Sequence, residues 1–315
     1  MYYLGIDLGG TNIVAGVVNS NYKIIAKSTC KTAIPRPETE ICKDMANLCF
    51  DVLKKASLTM NDIKFIGIGV PGSTNKETGI VEFCANLYFH NWKIVEMMTK
   101  LTKKPIKIEN DANAAAYGEY IAGSMRGYKS AIAVTLGTGI GGGIIIDGKI
   151  YTGSNFNGAE LGHMVIVHNG TKCSCGRKGC FERYASASGL AYLTKKALTS
   201  TRNNSIMWKY IGGNIKNVSA VTPFKALKNG DQLAKKVIDK YISYLACGIT
   251  NIVNIFQPDI ICIGGGVSKQ GETLLNPLKE TVKNERYSRY STKQTKICLA
   301  SLGNDAGIIG AAMLK

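Results

Sequence analysis

A repeated strand–turn–strand pattern is the feature of this sequence that most restricts its fold. Near the N-terminus, DLGGTN at residues 7–12 joins two apolar segments of β type, and TLGTGI at residues 135–140 does the same later in the chain. The segments that follow, GVVNSNYKI at 16–24 and IIIDGKI at 144–150, match in the same frame. An internal repeat of this kind predicts two related α/β subdomains that face each other.

The remaining apolar segments and helical patterns are also those of an α/β protein. Helical periodicity covers residues 38–57, and an Ala-rich helix, ANAAAYGEYIAG, follows the short strand KPIKIEND. A later apolar strand leads into a third glycine-rich turn, IICIGGGVS, and the C-terminal DAGIIGAAMLK predicts a short closing helix. The polar stretch over residues 200–217 is expected to be an exposed excursion.

Length, composition and charge favour a globular protein of the cytoplasm. The 315 residues are enough for two subdomains with a substantial core, and 45% of them are hydrophobic. The N-terminus MYYLGIDLGG is unlike a signal peptide, and no run of about 18 apolar residues predicts a membrane span. The net charge of +17 comes largely from lysines spread singly and in pairs, which favours a solvated basic surface over a nucleic-acid partner.

The three glycine-rich turns are candidate nucleotide-binding segments. Glycine lets the backbone approach a ligand closely, and successive N–H groups in such turns form anion-binding nests. Thr11 and Thr138 would add hydroxyl donors to the first two turns, whereas GGGV at 264–267 has no threonine and suits a base or ribose. Hairpin geometry alone explains a single turn of this type, but two in a duplicated frame favour a nucleotide.

Two acids stand next to these turns or at a strand end, where phosphoryl-transfer chemistry would need them. Asp7 lies in an apolar strand before the first turn, either as a structural acid or, as we expect, as a Mg²⁺ ligand through water. Asn110 and Asp111 stand where a strand gives way to a helix. They could form an ordinary N-cap or supply a general base for an attacking alcohol, and spacing alone leaves both open.

A dense group of cysteines in GAELGHMVIVHNGTKCSCGRKGCFE, residues 158–182, predicts a metal site. Three thiols lie within ten to seventeen positions of His163, at Cys173, Cys175 and Cys180. Three thiolates and one imidazole form a closed tetrahedral set, which is typical of structural zinc. The C-x-C spacing differs from common zinc-finger spacings, and four unconnected loop residues are the alternative.

Taken in order, these motifs resemble those of the ROK-family sugar kinases, with bacterial ATP-dependent glucokinases as the closest group. The matching segments are DLGGTN, ENDANAAAYGE, LGTGIGGG, GAELGH, CSCGRKGCFE and IGGGVS, and they cover nearly the whole chain. The resemblance implies the actin/hexokinase/Hsp70-like (ribonuclease H-like) duplicated α/β fold, with two subdomains around a nucleotide cleft. We expect a small subdomain over 1–122, completed by the C-terminal helix 304–315, and a large one over 123–303 that carries the cysteines.

The resemblance also implies roles for individual residues. Asp111 would be the catalytic base. The expected sugar contacts are Asn86, Asn110, Asp111, Glu160, His163 and Glu182. The expected ATP and Mg²⁺ contacts are Asp7, Gly9, Gly10, Thr11, Asn12, Thr138, Gly139, Gly265 and Gly266. The expected ligands of structural zinc are His163, Cys173, Cys175 and Cys180.

These implications predict a kinase that uses ATP to phosphorylate the 6-hydroxyl of a hexose, with glucose first. Kinases for N-acetylmannosamine, fructose, allose or mannose would use the same residues and stay open. A sugar-responsive regulator is a further alternative, which we expect to be disfavoured because the first strand begins at Tyr2 and leaves no room for a DNA-binding domain. We expect a homodimer or homotetramer, and we expect loss of zinc to affect the sugar more than ATP.

Overall fold

The computed structural model describes residues 1–84, 87–200 and 205–314 and contains two compact units. The first comprises Met1–Ala133, Gly143–Ala159 and Ser301–Lys315, and the second comprises Val134–Gly142 and Glu160–Ala300. The first unit therefore extends beyond the expected 1–122 plus C-terminal helix, because 123–133 and 143–159 pack within it.

Thirteen strands and ten α-helices are formed by the described residues. The strands are Tyr2–Leu8 (β1), Asn12–Asn19 (β2), Ile24–Lys31 (β3), Ile63–Val70 (β4), Ser73–Asn75 (β5), Ile80–Cys84 (β6), Phe89–Trp92 (β7), Ile106–Asn110 (β8), Ala131–Leu136 (β9), Ile140–Ile146 (β10), Lys149–Ile150 (β11), Ile260–Gly264 (β12) and Lys296–Leu299 (β13). The helices are Glu38–Lys55 (α1), Ile94–Thr102 (α2), Asp111–Ala122 (α3), Glu182–Ala185 (α4), Ala187–Ser200 (α5), Met207–Tyr210 (α6), Val221–Leu227 (α7), Gln232–Phe256 (α8), Glu272–Glu285 (α9) and Ala306–Ala312 (α10).

The two five-stranded sheets have the same topology, which confirms the internal repeat. Their strand orders are β3-β2-β1-β4-β8 and β11-β10-β9-β12-β13. In the first sheet, β1 to β3 form an antiparallel meander, and β4 and β8 continue the sheet in parallel on the other side of β1. Strands β5 to β7 form a separate three-stranded antiparallel sheet.

The core of the first unit lies between its sheet and the amphipathic helix α1. Met45 and Val52 of α1 are fully buried and belong to one apolar cluster with Ile6 and Ile68 of the sheet. Ile6 and Ile68 are register partners on the parallel strands β1 and β4. Packing on this sheet places the carboxyl ends of β1, β4 and β8, with Asp7 and the β8–α3 junction, at one edge.

The C-terminal helix α10 belongs to the first unit, and its backbone is in direct contact with the backbones of neighbouring elements. A Cβ added at Gly310 of α10 would collide with the carbonyl oxygen of Ala114 in α3, and one added at Gly67 of β4 would collide with that of Ala311. Bare glycines at these contacts let two backbones touch where a side chain would force them apart. Such contacts occur at Gly5, Gly67, Gly118 and Gly310.

Replacing Gly310 by alanine is expected to lower the free energy of unfolding by about 1–3 kcal/mol, because overpacking displaces the backbone of α3 or α10. Thermal and urea unfolding would measure the loss. Gly10→Ala is the matched control, since a Cβ there meets no atom within 4 Å. Equal stability of the Gly310→Ala protein and the wild type would mean that α10 is not held by this contact.

In the second unit, the long helix α8 anchors the segment that follows the cysteine cluster. The hydroxyl of buried Tyr241 donates to the Ala185 carbonyl at 2.8 Å. The ring of Phe181 lies so close to Gly248 of α8 that a Cβ there would collide with it. These contacts hold α4, which begins at Glu182.

The stretch over residues 200–217, which we expected to be an exposed excursion, is exposed only in part where the structure describes it. Met207 and Ile211 are almost fully buried and join Val218 and Ala234 in one apolar cluster. The apolar residues in this polar stretch are spaced so that α6 turns them inward, which composition alone does not reveal. Residues 201–204 lie outside the described ranges. Within those ranges, no helix is both long and apolar enough to cross a membrane.

Candidate functional site

The first glycine-rich turn connects β1 to β2 and leaves room on its outer side. The Gly9 N–H donates to the Asn12 carbonyl at 3.0 Å and closes the turn. Gly10 and Thr11 are exposed. A Cβ at Gly10 would meet no atom within 4 Å, and its φ is not in the left-handed region. The protein's own packing therefore gives no reason for a glycine at this position, whereas a ligand seated on the turn would.

The second turn, between β9 and β10, is closed by the Gly137 N–H, which donates to the Gly139 carbonyl at 3.0 Å. Thr138 is exposed at its tip. Glu182 supports this turn from below, because one of its carboxylate oxygens accepts the Ile140 N–H at 3.3 Å. A Cβ at Gly139 would collide with an oxygen of that carboxylate, so a side chain there would displace the Glu182 carboxylate.

The third turn follows β12 and lies directly beside the second. Gly265 has φ +85°, and a Cβ on it would stand 2.6 Å from the backbone of Leu136, which precedes the second turn. Only glycine suits this conformation and this contact. Gly266 resembles Gly10, since no atom lies within 4 Å of an added Cβ. The second unit therefore brings Thr138, Gly139, Gly265 and Gly266 together.

The junction of β8 and α3 separates the roles of Asn110 and Asp111. The Asn110 side chain is the N-cap, because its Oδ1 accepts the N–H groups of Ala112 and Asn113 at 2.9 and 3.2 Å. Its Nδ2 donates to the Gly72 carbonyl at 3.1 Å. Asp111 is the first helical residue, and its Oδ1 also accepts the Ala112 N–H at 2.9 Å. Asn110 thus supplies the cap without Asp111.

Three carboxyl groups at this edge of the first sheet have raised pKa values. Burial raises the pKa of Asp111 and of Glu109 above their ordinary values. Burial and then the charge of Asp111 raise the pKa of Asp7 to about 6. Like charges close together in a dry environment are unfavourable, and a divalent cation would relieve them. The donor chemistry around Asp7 and Asp111 therefore fits Mg²⁺.

The predicted metal ligands His163, Cys173, Cys175 and Cys180 come together in the second unit. Their ligand atoms all lie within 4.8 Å of one another. Cys173 Sγ is 3.7 Å from His163 Nδ1, and Cys175 Sγ is 3.6 Å from Cys180 Sγ. Tetrahedral zinc with Zn–S bonds of about 2.3 Å places its sulfur ligands roughly 3.8 Å apart. The cluster therefore fits Zn²⁺ as its sequence predicts.

Glu182 links the cysteine cluster to the end of the second turn, a connection that the motifs do not predict. Cys173 Sγ is 3.4 Å from Glu182 Oε1, and the other oxygen of Glu182 accepts the Ile140 N–H. On the far side of the imidazole, His163 Nε2 is 4.0 Å from Glu160 Oε2. Glu160 and Glu182, two of the expected sugar contacts, therefore flank the cluster to which His163 belongs. Asn86, the remaining expected sugar contact, lies outside the described residues.

A family model described as the ROK family matches residues 3–315. The chain belongs to the ROK family. It is 37% identical over 313 residues to a glucokinase from Thermotoga maritima, covering 99% of this chain and 96% of that protein. A xylose repressor from Caldicellulosiruptor bescii is 32% identical over 311 residues, covering 98% of this chain and 76% of the repressor.

A solved structure of a ROK family glucokinase from Streptomyces griseus, in complex with glucose and AMPPNP, matches this ROK protein with a TM-score of 0.84. Their sequences are 30% identical, and the match covers 99% of this chain and 98% of the other. The expected actin/hexokinase-like α/β fold is thereby confirmed.

Two buried polar residues of this ROK protein were not singled out from the sequence. Glu109 accepts the Asn113 Nδ2 and the Asn110 N–H, both at 3.0 Å, and braces the β8–α3 junction from inside. Thr32, just after β3, bonds to the first turn. A buried acid next to the ENDAN motif was a weak signal for Glu109, whereas Thr32 belongs to no motif.

Proposed function

We propose that this ROK-family protein is a hexose kinase that transfers the γ-phosphoryl group of ATP to the 6-hydroxyl of a sugar, with glucose as the preferred substrate. The observation that carries the proposal is that Asn110 caps α3, which leaves Asp111 for proton transfer. Family membership, the glucokinase relatives and the three turns with open outer faces support the same reaction.

In the proposed reaction, Asp111 acts as general base. Its Oδ1 accepts the Ala112 N–H, so we assign Oδ2 to the sugar hydroxyl. The carboxylate takes the hydroxyl proton while the oxygen forms a bond to the γ-phosphorus, the bridging P–O bond breaks, and ADP leaves. Asp7 would hold Mg²⁺ through water, and Mg²⁺ would supply neutralisation of phosphate charge.

The nucleotide is proposed to bind at the three turns. The proposed phosphate contacts are Gly9, Gly10, Thr11 and Asn12 of the first turn and Thr138 and Gly139 of the second turn. Gly265 and Gly266 would border the adenosine, because their turn offers bare backbone without a hydroxyl donor. Anions are suited to turns that present successive N–H groups, which supports the phosphate assignments.

The sugar is proposed to bind to Asn86, Asn110, Asp111, Glu160, His163 and Glu182. Zinc would bind His163 through Nδ1, since this atom faces Cys173, and would leave Nε2 beside Glu160 for a sugar hydroxyl. Zinc in a closed set of four protein ligands would order this segment and take no part in phosphoryl transfer.

The decisive experiment is a coupled ADP-release assay with ATP and Mg²⁺ against glucose, N-acetylmannosamine, fructose, allose and mannose. We expect the highest kcat/KM with glucose. A higher kcat/KM for another of these sugars would change the assigned substrate but would leave the assignment as a sugar kinase intact. No turnover with any of them by the metal-loaded protein would contradict the proposal. Cytoplasmic location and a homodimer or homotetramer remain predictions.

A sugar-responsive regulator is a second candidate, favoured by the similarity to a xylose repressor. It predicts sequence-specific DNA binding that changes with sugar. Gel-shift assays in physiological salt, with and without glucose or xylose, would separate the two candidates. Binding that disappears at that salt concentration would reflect only the net charge of +17.

Thr138→Val is expected to raise the KM for ATP and lower kcat, each by up to about tenfold, because a hydroxyl donor to phosphate is lost. Thr138→Ser keeps the hydroxyl and is the matched control. Steady-state kinetics, with calorimetry for glucose in the absence of nucleotide, would measure the split. A change in glucose affinity alone would show that the turn holds a different ligand.

A further inference from the structure

Thr32 is a fully buried residue that holds the first turn from behind. Its Oγ1 donates to the Gly9 carbonyl at 2.6 Å, and its backbone N–H donates to the Thr11 carbonyl at 3.0 Å. Its side chain has no solvent exposure. One residue outside every motif of the sequence therefore bonds to two carbonyls of the turn.

These two bonds determine where the N–H groups of the turn point. A trans peptide is planar, with its C=O and N–H in opposite directions. A Gly9 carbonyl that points at Thr32 therefore directs the Gly10 N–H away from Thr32. The absence of atoms within 4 Å of an added Cβ at Gly10 leaves space there for a ligand. Donors fixed in advance lose little freedom when an anion binds.

Thr32 is itself held in place by the neighbouring helix. Arg36 Nε donates to the Thr32 carbonyl at 2.8 Å. Arg36 Nη2 lies 2.6 Å from Asp44 Oδ2 in α1. The Arg36 side chain is 17% exposed and that of Asp44 is 37% exposed, so the pair lies at the boundary between the core and water. A continuous series of contacts thus runs from α1 through Arg36 and Thr32 to the turn.

We propose that Thr32 is a positioning residue for the nucleotide, one that orients the Gly10 N–H toward a phosphate without touching the ligand. The inference rests on the proposed function, since it assigns the first turn to a nucleotide. It adds a residue to that site. It predicts that the buried hydroxyl of Thr32, just after β3, controls the affinity for the nucleotide and not the affinity for the sugar.

The test compares Thr32→Val, Thr32→Ser and Thr29→Val in the full-length, metal-loaded protein. Valine keeps the shape and removes the hydroxyl, whereas serine keeps the donor. Thr29 is the matched control, because its Oγ1 also donates to a carbonyl, that of Ile13 in β2 at 3.1 Å, but to none of residues 9–11 of the turn. Calorimetry measures Mg–AMPPNP binding without sugar and glucose binding without nucleotide, and steady-state kinetics gives both KM values.

We expect Thr32→Val to weaken Mg–AMPPNP binding and raise the KM for ATP by roughly tenfold, because the Gly9 carbonyl loses a buried donor. Glucose affinity should stay within about twofold, as should every constant of Thr32→Ser and Thr29→Val. Wild-type AMPPNP binding by a folded Thr32→Val protein, or an equal loss of glucose affinity, would overturn the inference.

A second variant keeps the inference testable if Thr32→Val does not fold. Arg36→Gln removes the Asp44 pairing at a partly exposed position and should weaken AMPPNP binding severalfold, with glucose binding unchanged. If the Arg36→Gln protein binds both ligands as the wild type does, the inference is overturned. If the wild type binds AMPPNP but phosphorylates no sugar, only the proposed function is contradicted. A wild type that binds no AMPPNP overturns both.

Discussion

Asp111→Asn should lower kcat by roughly 10²–10⁴-fold, while glucose affinity stays within a few-fold of wild type. Asparagine keeps the size and one acceptor oxygen of the side chain but cannot take a proton from the sugar hydroxyl. The Asn110 cap remains in place, so α3 should stay folded. Coupled-assay kinetics and calorimetric titration with glucose would measure the two quantities.

Glu109→Gln is the control for the loss of negative charge at the same edge of the sheet. Glu109 is buried and bonds to Asn113 and to the Asn110 N–H, so we place it behind the reacting atoms. Its replacement should lower kcat by less than about tenfold. A kcat of Asp111→Asn close to that of wild type would make Asp111 a structural residue and end its assignment as base.

The pH dependence should carry the same signature. Burial raises the pKa of Asp111, and only its ionised form can accept a proton. Activity is therefore present above that pKa and is lost as the pH falls through it. The acid limb of kcat/KM for the wild type should lie above the ordinary aspartate value of about 3.9. The residual activity of Asp111→Asn should lack that limb.

The second large effect is expected from Cys175→Ser, which removes one ligand of the metal cluster. Zinc content, measured by mass spectrometry, should fall well below one per chain, and the melting temperature should drop because binding energy at such sites contributes to folding. The KM for glucose should rise strongly, since His163 is no longer held. The KM for ATP should rise as well, because Glu182 connects the cluster to the Ile140 N–H.

Direct readouts distinguish this effect from a general loss of activity. Amide exchange at Ile140 should be faster in Cys175→Ser and in chelator-treated wild type. Cys247→Ser, at a half-buried cysteine outside the cluster, is the control and should leave zinc content and both KM values unchanged. Metal-free wild type with unaltered melting temperature and full activity would show that zinc supports neither the fold nor the sugar site.

The sequence alone was sufficient where local chemistry decides the outcome. Helix α1 occupies Glu38–Lys55 against a predicted 38–57, because its apolar spacing is that of one buried helix face. The cysteine cluster was visible because its ligands lie within eighteen consecutive residues. Family membership followed from motifs whose order and spacing are specific. The duplicated strand order followed from the internal repeat.

Tertiary structure decided everything that depends on residues distant in sequence. Gly10 and Gly139 look alike in the motifs, yet one faces open space and the other lies against the carboxylate of Glu182, forty-odd positions away. Through Glu182 the metal cluster is also connected to the end of the second turn, a link that no motif records. Thr32 carries no signal at all, because its role depends on two carbonyls about twenty residues earlier. Motifs show which functional groups are present. The orientation of those groups is determined by hydrogen bonds between segments remote in sequence, which form only when the chain packs.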